Sequence, residues 1–222
     1  MGMEKFMDAR ESVKRVPTDF VYHTEFMAPD TNAARIQAGG SRVFVSSGVE
    51  GQNGINWAAA QDPRVPITTI VQGNLRSSKY PTTTSPIVVA DGIEARLIEA
   101  EADLKENKPQ WLTTVNQLRA RLVNGGGART LADTTDPGTS VGRVNLLFYE
   151  RAFWLYATGH RHGDMRRLIR QYDRDASTVF PTGFYTPVKP NTVLEYGPAV
   201  VFPLGTTNNT NPYFIGCIDT NA

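Results

Sequence analysis

The segment ERAFWLYATGHRHGDMRR, residues 150–167, combines aromatic side chains with groups that could bind a metal or move a proton. His160, His162 and Asp164 alternate along the chain, and imidazole and carboxylate groups are common zinc ligands. Two histidines two positions apart suit a strand better than a helix, and no fuller ligand set stands nearby. A general base also needs a nucleophile, and the sequence has no G-x-S-x-G motif. The pattern therefore predicts no metal centre, no catalytic residue and no cofactor.

Four arginines in and after this segment could contact phosphate: Arg161, Arg166, Arg167 and Arg170. The whole chain, however, has 23 basic and 22 acidic residues and a net charge of +1, so it lacks the strong positive field that attracts nucleic acid. We expect no nucleic-acid partner. Arg161 and Arg167 instead stand three residues from Asp164 on either side, at a spacing that allows ion pairs along a helix.

The charged residues of this segment are better explained as a structural network of ion pairs than as a catalytic, metal-binding or phosphate-binding site. Large apolar residues surround the helix predicted over residues 141–158, and a helix that is apolar on every side is a buried one. Glu150 and Arg151 must then lie near the core, where an unpaired charge is very costly. We expect Arg96, on an earlier helix, to be the partner of Glu150.

Apolar spacing predicts a mainly α fold. Four helices are expected, and they cover residues 88–107, 109–124, 141–158, capped by Gly159, and 161–172. These helices form two tandem hairpins over residues 88–172, in a tetratricopeptide-like arrangement. Flanks at 17–87 and 173–222 are rich in loops. They contain short strand candidates at residues 20–26, 41–47 and 67–71, after an opening helix at 4–16 that Pro17 ends.

The opening residues MGMEKFMDAR are charged and lack the apolar run of a signal peptide. No stretch approaches the roughly 20 apolar residues of a membrane helix, so we expect membrane attachment only through sequence outside this chain. The single cysteine, Cys217, has no partner at metal-ligand spacing and is interpreted as a structural thiol. A length of 222 residues suits one large domain or two small ones, and we expect a single domain over residues 1–222.

Several segments together resemble the SusD/RagB family of outer-membrane nutrient-binding lipoproteins. Glu150-Arg151, Gly159-His160-Arg161 and the run from Asp164 to Arg167 resemble the family's ER…EGxRxxDLRR signature, although Thr158 replaces the usual acid. Other matches follow the family's order along the chain. They are the Asp62-Pro63-Arg64 turn, the helix around Arg96, the segment 115–121, the extended pieces 179–181 and 202–204, and the closing segment 208–212, where Tyr213 replaces an asparagine.

The resemblance implies a SusD-like fold and a protein without enzymatic activity. Such a protein would capture glycans or other oligomeric nutrients, peptides included, on the outward face of the outer membrane and deliver them to a SusC-like, TonB-dependent transporter. Members usually carry a secretion signal, a lipidated cysteine and N-terminal helical repeats. We therefore expect this chain to be a C-terminal portion or a shortened relative, with its lipid anchor outside the given sequence.

Two other classes of function stay open. A helical-repeat scaffold would bind a protein partner along a groove. A glycan-active enzyme would need two carboxylates across a cleft, and Asp62, Asp91 and Glu94 are the acids to consider.

Saccharide binding requires an exposed aromatic ring for the C–H face of a sugar and polar side chains for its hydroxyl rim. Trp57, in the polar stretch GQNGINWAAAQ, fits best, although the more common role of a tryptophan is to anchor its own loop, since most tryptophans are substantially buried. Tyr80 is the second candidate platform. The polar residues expected beside these rings are Asn53, Asn56, Gln61 and Arg76. Trp111 could be exposed or packed, and we expect Trp154 in the core.

Overall fold

The computed structural model describes residues 9–27, 54–69, 75–121, 130–185 and 194–195. The chain divides into two compact units. The first comprises Met1–Val45 and Ala60–Arg161, and the second comprises Ser46–Ala59 and His162–Ala222. The single domain predicted over residues 1–222 stays a prediction beside this division. The expected strand at 41–47 and the residue Cys217 lie outside the described residues.

The described residues are mainly helical, as predicted. The helices are α1 Gly92–Lys105, α2 Gln110–Arg119, α3 Ser140–Trp154, α4 His160–Tyr172 and the single turn α5 Ala176–Val179. Residues 9–13 are also helical, within the segment predicted for the opening helix.

Within the described residues, three two-stranded antiparallel sheets accompany the helices. Their strands are β1 Val21–Thr24, β2 Ile67–Thr69, β3 Leu75–Ser77, β4 Ile87–Asp91, β5 Phe184–Tyr185 and β6 Leu194–Glu195. β1 pairs with β4 in a register that aligns Tyr22 with Ala90, and a bulge follows. β2 and β3 form a hairpin in which Thr68 faces Arg76. The predicted strands at 20–26 and 67–71 are thus confirmed in their described parts.

The prediction of a helix from residue 88 is wrong for its first four residues. Ile87, Val88 and Val89 are β-branched, and they extend as β4 against β1. The helix begins only after Asp91, whose Oδ1 accepts a hydrogen bond of 2.7 Å from the backbone N–H of Glu94. This cap satisfies a helix-end donor that would otherwise have no partner.

α1 forms the centre of the first compact unit. It packs against α2 and against α3. The side chains that fill this core include Leu97, Ala100, Trp111, Val115, Leu118, Leu147 and Phe153. The α1–α2 hairpin is confirmed, and Pro109 precedes α2 as predicted. Trp111 is packed, with 3% of its surface exposed. The second hairpin, of α3 with α4, involves residues of both units and stays a prediction.

α3 is shorter and less enclosed than the sequence suggests. It ends at Trp154 instead of residue 158, so Gly159 is not its cap. Gly159 has a φ of +90° at the turn into α4, a conformation that glycine adopts without steric cost. Val141 and Tyr149 are 51% and 43% exposed, so one stripe of α3 faces solvent. The expectation of burial on every side was wrong, since large apolar residues also occur on exposed faces.

Candidate functional site

A turn before β2 holds an arginine in a fixed position. Asp62 Oδ1 accepts hydrogen bonds from the backbone N–H and from the Nε of Arg64, each at 2.9 Å. Asp62 Oδ2 accepts a third hydrogen bond, from Arg64 Nη2 at 2.7 Å. The fork of the guanidinium matches the two carboxylate oxygens. This turn therefore directs the remaining donor, Nη1, away from Asp62.

That donor meets Glu150 on α3. The distance from Arg64 Nη1 to Glu150 Oε2 is 2.5 Å, and Nη1 of Arg119, the last residue of α2, donates to Glu150 Oε1. Glu150 is 1% exposed and Arg64 is 6% exposed. The prediction that Arg96 would pair with Glu150 is wrong. Arg96 binds Glu99 at 3.2 Å, and it donates to the backbone oxygens of Val13 and Val16, near the end of the opening helix.

Burial and charge compete at Arg64. Burial disfavours its guanidinium charge, but hydrogen bonds and attraction from Asp62 and Glu150 outweigh that cost, and the pKa of Arg64 is raised. Its Cζ also lies 5.1 Å from the ring centre of Phe153 and 5.0 Å from that of Trp154, which adds cation–π attraction. Trp154 itself is only half-buried, in contrast to the expected core position.

The four charged residues Asp62, Arg64, Arg119 and Glu150 are hereafter called the Glu150 cluster. Two positive and two negative groups balance within it, and each carboxylate oxygen has a donor. These four charged side chains are paired with one another, and their ion pairs hold three chain segments together. The predicted structural charge network is confirmed for Glu150, with partners that differ from the expected one.

The two histidines of the opening segment have different neighbours. His160 Nε2 lies 3.0 Å from Glu94 Oε1, and His160 Nδ1 lies 2.7 Å from the hydroxyl of Thr158. That hydroxyl also lies 2.7 Å from the backbone oxygen of Leu155. Both ring nitrogens of His160 are thus held by polar neighbours, which gives this side chain a structural role.

His162 instead lies edge-on to Phe180, with ring centres 5.8 Å apart. Burial, together with repulsion from Arg166, lowers the pKa of His162. Within the residues that the structure describes, no group of three or more His, Cys, Asp or Glu side chains could hold a metal ion.

Asp164 is buried in α4, with 5% of its side chain exposed. Arg167 Nη2 lies 2.7 Å from its Oδ1, so the predicted pairing three residues apart is confirmed. The pairing of Asp164 with Arg161 stays a prediction. Arg151 is buried as expected.

Lys79 and Tyr80 both bind the chain that leaves α3. Lys79 Nζ donates to the backbone oxygen of Tyr156, and the Tyr80 hydroxyl donates to that of Ala157 at 2.8 Å. Burial lowers the pKa of Lys79 to about 8, against the opposing attraction of Asp91. Burial also raises the pKa of Tyr80, which is 8% exposed. The expected exposed stacking surface at Tyr80 is therefore wrong, because its ring packs while its hydroxyl binds a carbonyl group.

The other predicted ligand residues have mixed positions. Trp57 is half-buried, and the neighbouring Asn56 uses its Oδ1 to accept from the backbone N–H of Ala59 at 2.9 Å. Gln61 is exposed, with a φ of +47°. Arg76 lies in β3, and only its backbone is described; Asn53 lies outside the described residues.

These residues are not all in one unit. Asn56 and Trp57 belong to the second compact unit, whereas Gln61, Arg76 and Tyr80 belong to the first. The binding role of Trp57 and its neighbours stays a prediction.

The three acids considered for a glycan-active enzyme all have structural partners. Asp62 binds Arg64, Asp91 caps α1, and Glu94 binds His160. A pair of carboxylates that acts on a glycosidic bond needs one proton-donating and one ionised group facing a substrate. These three side chains are instead used to stabilise the fold.

Among the described residues, Phe20 and Tyr22 are exposed aromatic residues for which the sequence predicted no role. Phe20 is 45% exposed and Tyr22 is 61% exposed. The stretch FVYHTEF carried the signal, because its alternation predicts a strand with Phe20 and Tyr22 on one side. The alternation could not predict that the side chains on both sides of this strand would be exposed.

Comparisons with known proteins give little further information. No family model matches the chain, and no curated protein matches it. Among solved structures, it is similar to a SusD-like carbohydrate binding protein from Bacteroides vulgatus ATCC 8482, at 22% sequence identity and a TM-score of 0.36. The match covers 60% of this chain and 29% of that one. Among the described residues, no helix is long and apolar enough to cross a membrane.

Proposed function

We propose that this chain captures saccharides or other oligomeric nutrients without chemical conversion, as part of a SusD/RagB-type protein. The captured ligand passes to a SusC-like, TonB-dependent transporter, and the capture takes place on the outward face of the outer membrane. The whole proposal rests on the residues of this chain that resemble the family's motifs.

One observation carries the proposal. Three segments that resemble separate family motifs converge on one carboxylate. They are the Asp62-Pro63-Arg64 turn, the segment 115–121 with Arg119, and the Glu150-Arg151 pair. Segments that match by chance have no reason to meet, whereas the parts of one motif set are expected to do so. The Glu150 cluster therefore supports the resemblance, because the matching segments form one structural unit.

The proposed capture site is the loop around Trp57. Its ring is half-buried, so one part can fix the loop while another part faces a ligand. Asn53 and Asn56 are the polar residues proposed for the hydroxyl rim of a sugar, and a binding role for Gln61 stays a prediction. Asn56 Oδ1 already fixes the turn through Ala59, which leaves its amide N–H groups as donors.

The test is a titration of the purified chain with a panel of soluble polysaccharides and oligosaccharides, followed by tryptophan fluorescence. Trp57→Ala is the site variant, and Trp154→Phe is the control for a fluorescence change that comes from another tryptophan. We expect saturable binding to at least one saccharide, and a loss of at least tenfold in affinity in Trp57→Ala.

Binding that is equal in wild type and Trp57→Ala would keep the function and remove the Trp57 loop from it. If no saccharide or peptide of the panel binds the wild-type chain, nutrient capture by this chain is wrong. A helical-repeat scaffold for a protein partner then becomes the better interpretation.

A further inference from the structure

Most of the exposed large hydrophobic side chains among the described residues lie around β1. Seven large hydrophobic side chains are exposed among the described residues, and five of them lie at positions 20–27 or at Val89 on the paired strand. Phe20 and Tyr22 are the aromatic ones near this strand. Side chains two positions apart on a strand point to the same side, about 7 Å from each other. Phe20 directly precedes β1, and its carbonyl oxygen still accepts from Gly92 N opposite it, so the alternation places both rings on one side of the extended chain. The two rings are hereafter called the aromatic row.

The backbone beneath these rings is held on several sides. The N–H of Phe20 donates to Pro17 O at 3.1 Å, and its carbonyl oxygen accepts from Gly92 N at 2.8 Å. Tyr22 is paired with Ala90 in the β1–β4 ladder. Gly92 permits this arrangement because a Cβ atom there would lie 2.0 Å from Pro17 O. Rings on a fixed backbone lose little conformational freedom when a ligand binds.

Polar groups interrupt the aromatic row. Asp19 precedes Phe20, Thr24 is the last residue of β1, and both are exposed; the Thr24 hydroxyl donates to the backbone oxygen of Ile87 at 3.4 Å and can still accept a hydrogen bond. His23 and Glu25 are exposed as well, and His23 Nε2 lies 3.6 Å from Glu25 Oε1. The centre of a protein–protein interface is depleted of charged residues, so this alternation does not suit a buried protein contact. Single rings flanked by hydroxyl and carboxylate groups suit a ligand that has C–H faces and a hydroxyl rim.

We propose that Phe20 and Tyr22 form a stacking platform for two neighbouring rings of a linear, neutral saccharide. Asp19 and Thr24 supply hydrogen-bond partners for its hydroxyl groups. The inference rests on the proposed capture of saccharides, and it adds a binding surface on the first compact unit that does not involve the Trp57 loop.

The test is isothermal titration of the chain with neutral hexasaccharides of glucose, mannose and xylose units, and with the corresponding disaccharides. Phe20→Ala and Tyr22→Ala are each expected to weaken hexasaccharide binding about tenfold. Val21→Ala is the matched control, because Val21 is 52% exposed on the same strand but points to the opposite side. Its affinity should equal that of the wild type.

A second variant separates stacking from general apolar contact. Tyr22→Leu keeps a large apolar side chain but has no flat ring, so we expect the same loss as in Tyr22→Ala. Unfolding temperatures of all variants are measured alongside, and they should stay close to the wild-type value because these side chains are exposed.

The outcomes separate this inference from the proposed function. If the wild type binds a hexasaccharide, and only Trp57→Ala weakens binding, capture stands and the platform is wrong. If Tyr22→Leu binds the hexasaccharide with wild-type affinity, stacking on the Tyr22 ring is also wrong. A wild-type dimer that Tyr22→Ala converts to monomers, with no effect on saccharide binding, would assign this surface to a second copy instead. No binding by the wild type removes both proposals.

Discussion

Arg64 and Glu150 are 86 residues apart in sequence, and yet Arg64 Nη1 lies 2.5 Å from Glu150 Oε2 in a region closed to water. The contact joins the turn at Asp62 to the middle of α3. Arg119 reaches the same carboxylate from the end of α2. One acidic side chain thus connects three segments, and the consequences of its removal can be measured.

Glu150→Ala should lower the free energy of unfolding by roughly 3–5 kcal/mol, because two arginines would lose the carboxylate that balances their buried charge. Urea unfolding followed by circular dichroism measures the change. Asp136→Ala is the control, since Asp136 forms an exposed ion pair with Arg143 at 2.8 Å and its loss should have little effect. Equal losses in the two variants would contradict the role given to the Glu150 cluster.

Lys79 should make stability depend on pH above neutrality. Its pKa is lowered by burial to about 8 in the folded chain, below the value of 10.5 for a free lysine side chain. The unfolded state therefore binds more protons between these two values, and the free energy of unfolding rises with pH in that window. Below pH 8 the buried charge opposes folding.

Lys79→Met removes this dependence. We expect the difference in unfolding free energy between Lys79→Met and wild type to fall by roughly 2–3 kcal/mol from pH 7 to pH 10. The comparison cancels other groups that titrate in both proteins, including Tyr80. The measurement is urea unfolding at four pH values, and parallel curves for the two proteins would show that Lys79 ionises normally.

Gly92→Ala should destabilise the fold, although alanine is the better helix former. The new Cβ would lie 2.0 Å from Pro17 O and 2.5 Å from Thr18 Cα, so the backbone must shift. Gly163→Ala, within α4, has no atom within 4 Å of the new Cβ and should stabilise by about 0.5–1 kcal/mol. Thermal unfolding of both variants tests the pair. A gain in both would mean that residues 17–18 do not contact Gly92.

Trp111→Ala should cost about 3–5 kcal/mol of unfolding free energy, because the 3% exposed ring fills the core between α1 and α2. Trp57→Ala should cost clearly less, since Trp57 is half-buried. Urea unfolding, followed by a circular dichroism signal that arises from tyrosine, compares the unfolding free energies of the two variants. A cost at Trp57 as large as that at Trp111 would make Trp57 a loop anchor and not a ligand platform.

Local sequence patterns determined most of the helical part of this protein. The apolar spacing that predicted α1 and α2 depends on residues three and four apart, which meet within a single helix regardless of the rest of the fold. The pairing of Asp164 with Arg167 has the same local origin. The start of α1 could also have been found, because Asp91 followed by Glu94 is a helix-start signal after the β-branched run of β4.

Only the tertiary structure decided which distant residues meet. Arg64 and Arg119 were as plausible as Arg96 for Glu150, and the choice depended on how α1, α2 and the Asp62 turn pack around α3. Exposure was decided in the same way: Tyr80 is covered while Tyr22 is open, although both are tyrosines in strand-like or loop sequence. A single sequence records side-chain types and local spacing, whereas partners and burial depend on contacts between segments far apart in the chain.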